Sequence, residues 1–462
     1  MTIKFGTDGW RGIIDDDFTD DNVRIVARAL AVYLQKDKPA GSGVMVGYDN
    51  RRKAEDFARI SAEELSKAGF AVTLSDVAIS SPALAFAVKH NGRMGGIMIT
   101  ASHNPPTFNG FKFKANYGGS GMPEIMSKIE SYLGENPVPG NGSIVTADIT
   151  SDYLNHLATL VDINLIKSAG WRVVVDCMHG SGIGYLEKLL AGGKTEVISI
   201  RSTRDLNFGG INPEPIAKNL QALFDAVKVN GAFAGIALDG DADRIGAADE
   251  NGNMVDSHRI FAVALLHLVE KRGWRGPVVK TVSTTSMIDI LCKQLDLPYS
   301  VTPIGFKYIC EKMLQEDVLI GGEESGGIGI RGHLPERDGV LMGLLLMEAM
   351  AQSGKKLGEL VNDVYTRCGF HAYNRIDMHP NVADMPTIRD RITNANNSEL
   401  AGRKIESIDK KDGTKFYFAD GAWLLLRPSG TEPVVRVYAE AESDEAVEIL
   451  LHAGENLING GK

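Results

Sequence analysis

Short apolar runs ending in Gly, Asp or Ser, each followed by a stretch of helical periodicity, recur along most of this chain. That alternation limits its fold more than any other feature. The run Gly43–Asp49 reads as a buried strand. Phe57, Ile60, Leu65 and Ala68 then share one face at a spacing near that of a helix, and Ala71–Leu74 reads as the next strand. The order returns at Trp171–Asp176 followed by Ile183–Leu190. It returns again where Leu220, Leu223, Phe224 and Val227 precede the apolar run Ala232–Leu238. Strands alternating with helices predict α/β domains with parallel or mixed sheets. After residue 368 the pattern becomes strand-rich and closes with a helix opened by Ser443-Asp-Glu.

At 462 residues the chain is too long for one core, since domains run to roughly 150 residues. The Pro/Gly/Asn cluster Gly134–Gly142 is the best linker. A weaker seam lies at Asp249–Asn253, where Asn-Gly also reads as a hairpin turn, and a third lies near residue 368. Four domains are expected, at 1–142, 143–252, 253–367 and 368–462. With 49 Lys and Arg against 59 Asp and Glu, the net charge of −10 argues against non-specific binding to nucleic acid or to an anionic membrane. An anionic substrate must therefore meet a local basic cluster. Cys177, Cys292, Cys310 and Cys368 form no CxxC pair, which fits reduced thiols in a cytoplasmic protein better than a zinc or redox motif. Met1–Gly12 lacks the apolar region of a signal peptide. The longest apolar stretch, Val340–Met350, is broken by Glu348 and too short to span a bilayer.

Two glycine-rich segments mislead. Gly327–Gly332 matches GxGxxG, but Pro335 follows where a dinucleotide site needs a helix to begin. Gly192-Gly-Lys-Thr195 resembles the end of a P-loop, with Lys188 where the leading glycine belongs.

Other segments carry chemistry. Thr100–Pro106 (TASHNPP) follows the strand-like Gly96–Ile99 and displays Ser102 as either a nucleophile or part of a turn. Asn109-Gly110 then turns the chain into Phe111–Lys114, whose alternation puts Lys112 and Lys114 on one face, commonly an edge-strand device. Asp239–Arg244 (DGDADR) sets three carboxylates at alternating positions, which repel one another unless a cation intervenes, and hard oxygen donors favour Mg²⁺. An EF-hand is excluded because Arg244 stands where the loop needs Gly and a strand, not a helix, precedes it. Arg427–Pro433 (RPSGTEP) joins two strand-like runs and is either an anion nest or an ordinary hairpin loop. Gly321–Gly327 (GGEESGG) offers paired carboxylates and a hydroxyl, suited to sugar hydroxyls and equally to a plain surface loop.

These segments, with Phe5–Gly12 (FGTDGWRG) ahead of them, occur in one order across nearly the whole chain. The series closely resembles the α-D-phosphohexomutase family, in its phosphoglucomutase/phosphomannomutase branch. The resemblance implies three related α/β domains with mixed sheets, plus a C-terminal α+β domain with an antiparallel sheet, around a central cleft. It implies that Ser102 is a phosphoserine that donates and recovers a phosphoryl group. Asp239, Asp241 and Asp243 would be Mg²⁺ ligands, with the Ser102 phosphate as another. Arg11, His103 and Lys112 match catalytic positions, Lys112 as the proton shuttle. Glu323 and Ser325 match a sugar-recognition loop, and Arg427, Ser429, Gly430 and Thr431 a distal phosphate loop. Arg244 and Lys280 complete the expected substrate-binding set.

The implied reaction moves a phosphoryl group reversibly between C1 and C6 of a hexose through a 1,6-bisphosphate, which also serves as activator. Glucose phosphates are expected as substrates, with mannose phosphates beside them. Phosphoglucosamine mutase, a serine-dependent sugar phosphatase and a non-catalytic sugar-phosphate binder are the alternatives. The partner is a small phosphosugar, not nucleic acid or membrane, and the protein would be a monomer or homodimer. One departure stands out. Many members carry Ser-Gly-His where this chain has Ser325-Gly-Gly327, so a substrate-contacting histidine is missing, and whether His333 replaces it is open.

Overall fold

A computed structural model describes residues 3–6, 9–430 and 433–460 of the chain. Three sheets repeat one four-strand arrangement. In the first, the central strand Val44–Tyr48 pairs in parallel with Ala71–Ser75 and Gly95–Ile99, and the latter pairs antiparallel with Phe108–Ala115. In the second, Arg172–Asp176 is flanked in parallel by Glu196–Ile200 and Ala234–Leu238, and Ile245–Ala248 returns antiparallel. In the third, Val278–Thr281 is flanked by Tyr299–Thr302 and Ile320–Gly322, and Ile328–Ile330 returns antiparallel. The fourth sheet has six strands, all antiparallel, from Ala372–Met378 to Glu399–Leu400. The fold is therefore three mixed α/β layers and an antiparallel α+β unit.

The repeat matters because it places chemistry. In each α/β unit a short connection joins the third strand to its antiparallel return. Those connections are Thr100–Thr107, Asp239–Arg244 and Glu323–Gly327. Three unlike sequences thus occupy one topological position. In the fourth unit a hairpin joins Trp423–Pro428 to Val435–Ala441 and carries Ser429 and Gly430.

The helix Gly339–Ser353 is apolar on all sides, and every residue from Gly339 to Met350 is buried. It lies inside one apolar cluster shared by the first three units, which explains a run too short for a membrane and too apolar for a surface. Each of its buried leucines contributes about 1.5–3 kcal/mol of apolar burial. Among the described residues no helix is long and apolar enough to cross a membrane.

Several sequence expectations change. The stretch Gly134–Gly142 is irregular, but Ser143–Ala147 beyond it pairs in parallel with Ala71–Ser75, so the first sheet runs past residue 142. Asp249–Asn253 is the turn that its Asn-Gly suggests, and the second sheet runs on to Val255 beyond it. Asn109-Gly110, by contrast, is not a turn. It lies within the strand Phe108–Ala115, and glycine is required there because a Cβ would sit 2.4 Å from the Thr100 carbonyl oxygen. Lys112 and Lys114 do not guard an edge: Trp10–Ile13 pairs along Phe108–Phe111 and Gly119–Ser120 along Lys114–Ala115 of their strand, and both lysines are fully buried.

Candidate active site

Ser102 sits in the left-handed region at φ 53°, a conformation that costs a non-glycine residue about 1–3 kcal/mol and persists only where its surroundings impose it. They do. The Ser102 amide donates to Thr100 Oγ1 at 2.9 Å, and Thr100 Oγ1 donates to Asp49 Oδ2 at 2.6 Å. Arg51, wholly buried, donates to the carbonyls of Ser102 (2.6 Å), Asn104 (2.7 Å), Pro105 (2.8 Å) and Phe108 (3.1 Å). Its Nε lies 3.2 Å from Asp49 Oδ2. Burial raises the Asp49 carboxyl to about 6, against the pull of Arg51 and Thr100. Asp49 and Arg51 were missed by sequence reasoning; the signal was an Asp closing a central strand, a position Asp176 repeats in the second unit.

The hydroxyl so displayed donates from Oγ to Asp239 Oδ2 at 2.8 Å. Asp239, Asp241 and Asp243 are fully buried, and ligand atoms of all three lie within 4.8 Å of one another. Gly240 allows the approach, since a Cβ there would meet the Ser102 carbonyl oxygen at 2.4 Å. Asp241 Oδ2 accepts from Ser81 Oγ (2.5 Å) and Lys112 Nζ (2.9 Å), Asp243 Oδ2 faces Arg337 Nε at 2.8 Å, and among the described residues Asp241 Oδ1 and Asp243 Oδ1 have no hydrogen-bond donor. Burial, then the Asp243 and Asp241 charges, hold the Asp239 carboxyl well above the usual range. Asp241 is well below it, because Lys112 and Ser81 outweigh its burial. Clustered hard oxygens, some without donors, fit a divalent cation such as Mg²⁺.

Cations surround this centre. Arg11 Nη1 donates to Asn104 Oδ1 at 2.8 Å, beside Ser102 in the chain. Lys112 Nζ also lies 3.7 Å from Asp243 Oδ2, and Arg244 Nε 3.9 Å from Asp243 Oδ1. His103 Nδ1 is 3.4 Å from Ser102 Oγ. Desolvation and the charges of Arg244, Arg11 and Lys112 hold its imidazole well below the usual range, hence neutral at pH 7.

Glu323 is buried, and burial raises its carboxyl to about 7 although Arg337 Nη1 donates to its Oε2 at 3.3 Å. Ser325 is half-buried on the same loop. That loop rests on the second unit: Ile245 N donates to Gly326 O at 3.1 Å, and Gly326, at φ 95°, leaves no room for a Cβ beside Ile245 O. Lys280 is turned away from this space. Its ammonium donates to Thr284 O and Thr285 O and pairs with Asp289, which uses all three donors within its own unit. His333 is likewise committed, with Nε2 3.0 Å from Asp338 Oδ2 and Nδ1 3.1 Å from His156 Nε2.

In the fourth unit Arg427 Nε donates to Asp412 Oδ1 at 2.9 Å, and Asp412 Oδ2 accepts from Ile304 N of the third unit at 2.8 Å. Ser429 is buried beside it, with its amide on Val434 O at 2.7 Å, and Gly430 is exposed. Thr431 lies outside the described residues.

Four family models for phosphoglucomutase/phosphomannomutase match the chain in order. Alpha/beta/alpha domains I, II and III match residues 2–137, 151–252 and 256–368, and the C-terminal domain matches 382–453. A phosphoglucomutase/phosphomannomutase of Thermococcus kodakarensis is 32% identical over 461 residues, covering 98% of each chain. A phosphoglucosamine mutase of Caldicellulosiruptor saccharolyticus is 32% identical over 455 residues, covering 96% of each. The crystal structure of a Thermus thermophilus protein named as a phosphomannomutase superposes with a TM-score of 0.89 at 36% identity, over 100% of both chains. Those matches span the loops that meet around Ser102 and the three aspartates, and on them the chain belongs to the phosphoglucomutase/phosphomannomutase family of phosphohexomutases.

Proposed function

We propose that this phosphohexomutase interconverts hexose 1- and 6-phosphates through a phosphoserine at Ser102 and a hexose 1,6-bisphosphate, acting on glucose and mannose phosphates with glucose preferred. The observation that carries the reading is the strained Ser102, whose hydroxyl is 2.8 Å from the first of three buried aspartates. Phosphoryl transfer needs alignment and charge neutralisation more than covalent help from the protein. A phosphoserine adds a charge of about −1.5 to −2 beside those carboxylates. Mg²⁺ held by Asp239, Asp241 and Asp243 would supply the neutralising charge, and Lys112, Arg11 and Arg244 add to it. Lys112, held by Asp241 beside the transfer site, is the proton shuttle between the attacking hydroxyl and the Ser102 oxygen, and His103, 3.4 Å from Ser102 Oγ, lines the same space. A phosphatase would share Ser102 and the aspartates but has no use for the fourth unit's loop.

That loop gives a first test. Arg427→Ala should raise KM for hexose monophosphates by ~10–100-fold, the loss of one charge-assisted contact of about 1.5–3 kcal/mol. An unchanged KM would place the distal phosphate elsewhere.

For both half-reactions the sugar must bind in two orientations that exchange C1 and C6. One loop serves both only by gripping O3 and O4, which roughly interchange on flipping. Glu323 can accept from both hydroxyls, and Ser325 can donate or accept. Glu323→Gln should lower kcat/KM for glucose and mannose 1-phosphates by similar factors, ~10–100-fold. Loss of one sugar alone would show that the loop reads C2. The relative named phosphoglucosamine mutase, at 32% identity, favours glucosamine phosphate as a second reading. A coupled assay of glucose, mannose and glucosamine phosphates decides. Turnover of the first two above the third supports the proposal, and glucosamine phosphate as the best substrate overturns its sugar preference. Release of free phosphate at the rate of isomer formation would favour a phosphatase.

A further inference from the structure

Four consecutive residues that the chemistry above leaves unused, Glu336-Arg337-Asp338-Gly339, join the loops of the transfer site. Glu336 Oε2 accepts from Lys114 Nζ at 2.6 Å and Ser120 Oγ at 3.0 Å, tying the segment to the strand that carries Lys112. Asp338 Oδ2 accepts from Tyr153 OH at 2.7 Å, and Oδ1 accepts from Leu341 N at 2.9 Å, capping the central helix. Gly339 N donates to Ala242 O in the aspartate loop at 3.1 Å. A Cβ on Gly339 would lie 2.4 Å from Arg244 O, so only glycine lets the segment come this close.

From this fixed base Arg337 reaches between two loops. Its Nε lies 2.8 Å from Asp243 Oδ2, its Nη1 donates to Glu323 Oε2 at 3.3 Å, and its guanidinium stands 5.8 Å from the Phe306 ring centroid. The room for it comes from Gly327. A Cβ at that position would fall 2.6 Å from Arg337 Cδ and 3.2 Å from Glu323 Oε2. The pocket thus holds either a side chain at 327 or Arg337 against Glu323, not both. His333 is no competitor for the space, being fixed between His156 and Asp338.

We propose that Arg337 is the positioning residue of the sugar loop: it fills the room left at Gly327 and holds Glu323 in the geometry that grips the sugar hydroxyls. A buried carboxylate without a counter-charge neutralises or swings toward water. A planar, permanently charged guanidinium opposes both, and it can face two carboxylates from one side chain. By also meeting Asp243, it sets the separation between the sugar loop and the aspartates.

The inference rests on the mutase reading, so wild-type mutase activity on glucose 1-phosphate is measured first. An inactive wild type would sink that reading, and the comparisons that follow concern Arg337 alone. Arg337→Met should lose ~10–100-fold in kcat/KM, as Glu323→Gln does. Because one residue acts through the other, the double variant should be no worse than the poorer single one. Arg337→Lys, which keeps a charge beside Glu323, should be more active than Arg337→Met. Gly327→His should be costly alone yet nearly neutral in an Arg337→Ala background, where its space is free. Losses that multiply in the double variant, Arg337→Lys no better than Arg337→Met, or an equal cost of Gly327→His in both backgrounds would each overturn the proposal.

Discussion

Ser102→Ala should lower mutase turnover by roughly 10⁴–10⁶-fold, the scale on which an enzyme loses rate when its nucleophile is removed. Stability should change far less. The substitution deletes the hydrogen bond to Asp239, worth about 1 kcal/mol, and the longer contact with His103, and leaves the loop held by Arg51, Thr100 and Asp49. Steady-state rates with a bisphosphate activator, set beside a denaturant melt, separate the two effects. Activity within tenfold of wild type would remove Ser102 from the reaction.

Chelation gives the second large effect. Three buried carboxylates within 4.8 Å of one another repel, and in the transfer they would face a phosphate as well. Removing a divalent cation from them should slow turnover by roughly 10³-fold, the equivalent of several kcal/mol of charge stabilisation. Mg²⁺ should restore the rate. It should also raise the melting temperature, because a ligand that binds the folded state alone stabilises it by mass action. Asp243→Asn, which removes one of the three clustered charges, should weaken both responses. Full activity in excess chelator, with a melting point indifferent to Mg²⁺, would contradict the reading of the three aspartates.

Much of this architecture was legible because strands, helices and loop motifs are local. The run ending in Leu238 and the carboxylates after it lie together in sequence, so strand and site could be read as one piece. What was lost depends on distant partners. Lys112 and Lys114 alternate as on any strand, but nothing near them shows that Trp10–Ile13 will pair with the start of that strand, or that Asp241 and Glu336 will meet their ammonium groups. Asn109-Gly110 has the composition of a turn, whereas its glycine answers to the Thr100 carbonyl. Arg51 looks like any surface arginine until four carbonyls of the Ser102 loop close around it. Lys280, expected in the substrate-binding set, has its ammonium on Thr284 O, Thr285 O and Asp289, partners that no motif around it shows. The equivalence of the three reactive loops was invisible for a further reason. Their sequences share nothing, and only the strand order shows that each follows the third strand of one repeated unit.

The central claim is that Ser102 carries the phosphoryl group from one sugar end to the other, and the fate of that group tests it most directly. Protein loaded with hexose 1,6-bisphosphate, freed of excess and analysed as intact protein and as peptides, should carry one phosphoryl group, on Ser102. Adding hexose 6-phosphate should remove it and produce bisphosphate in equal amount, with no inorganic phosphate. A protein that never acquires the group, carries it on another residue, or releases it to water instead of sugar would contradict the account.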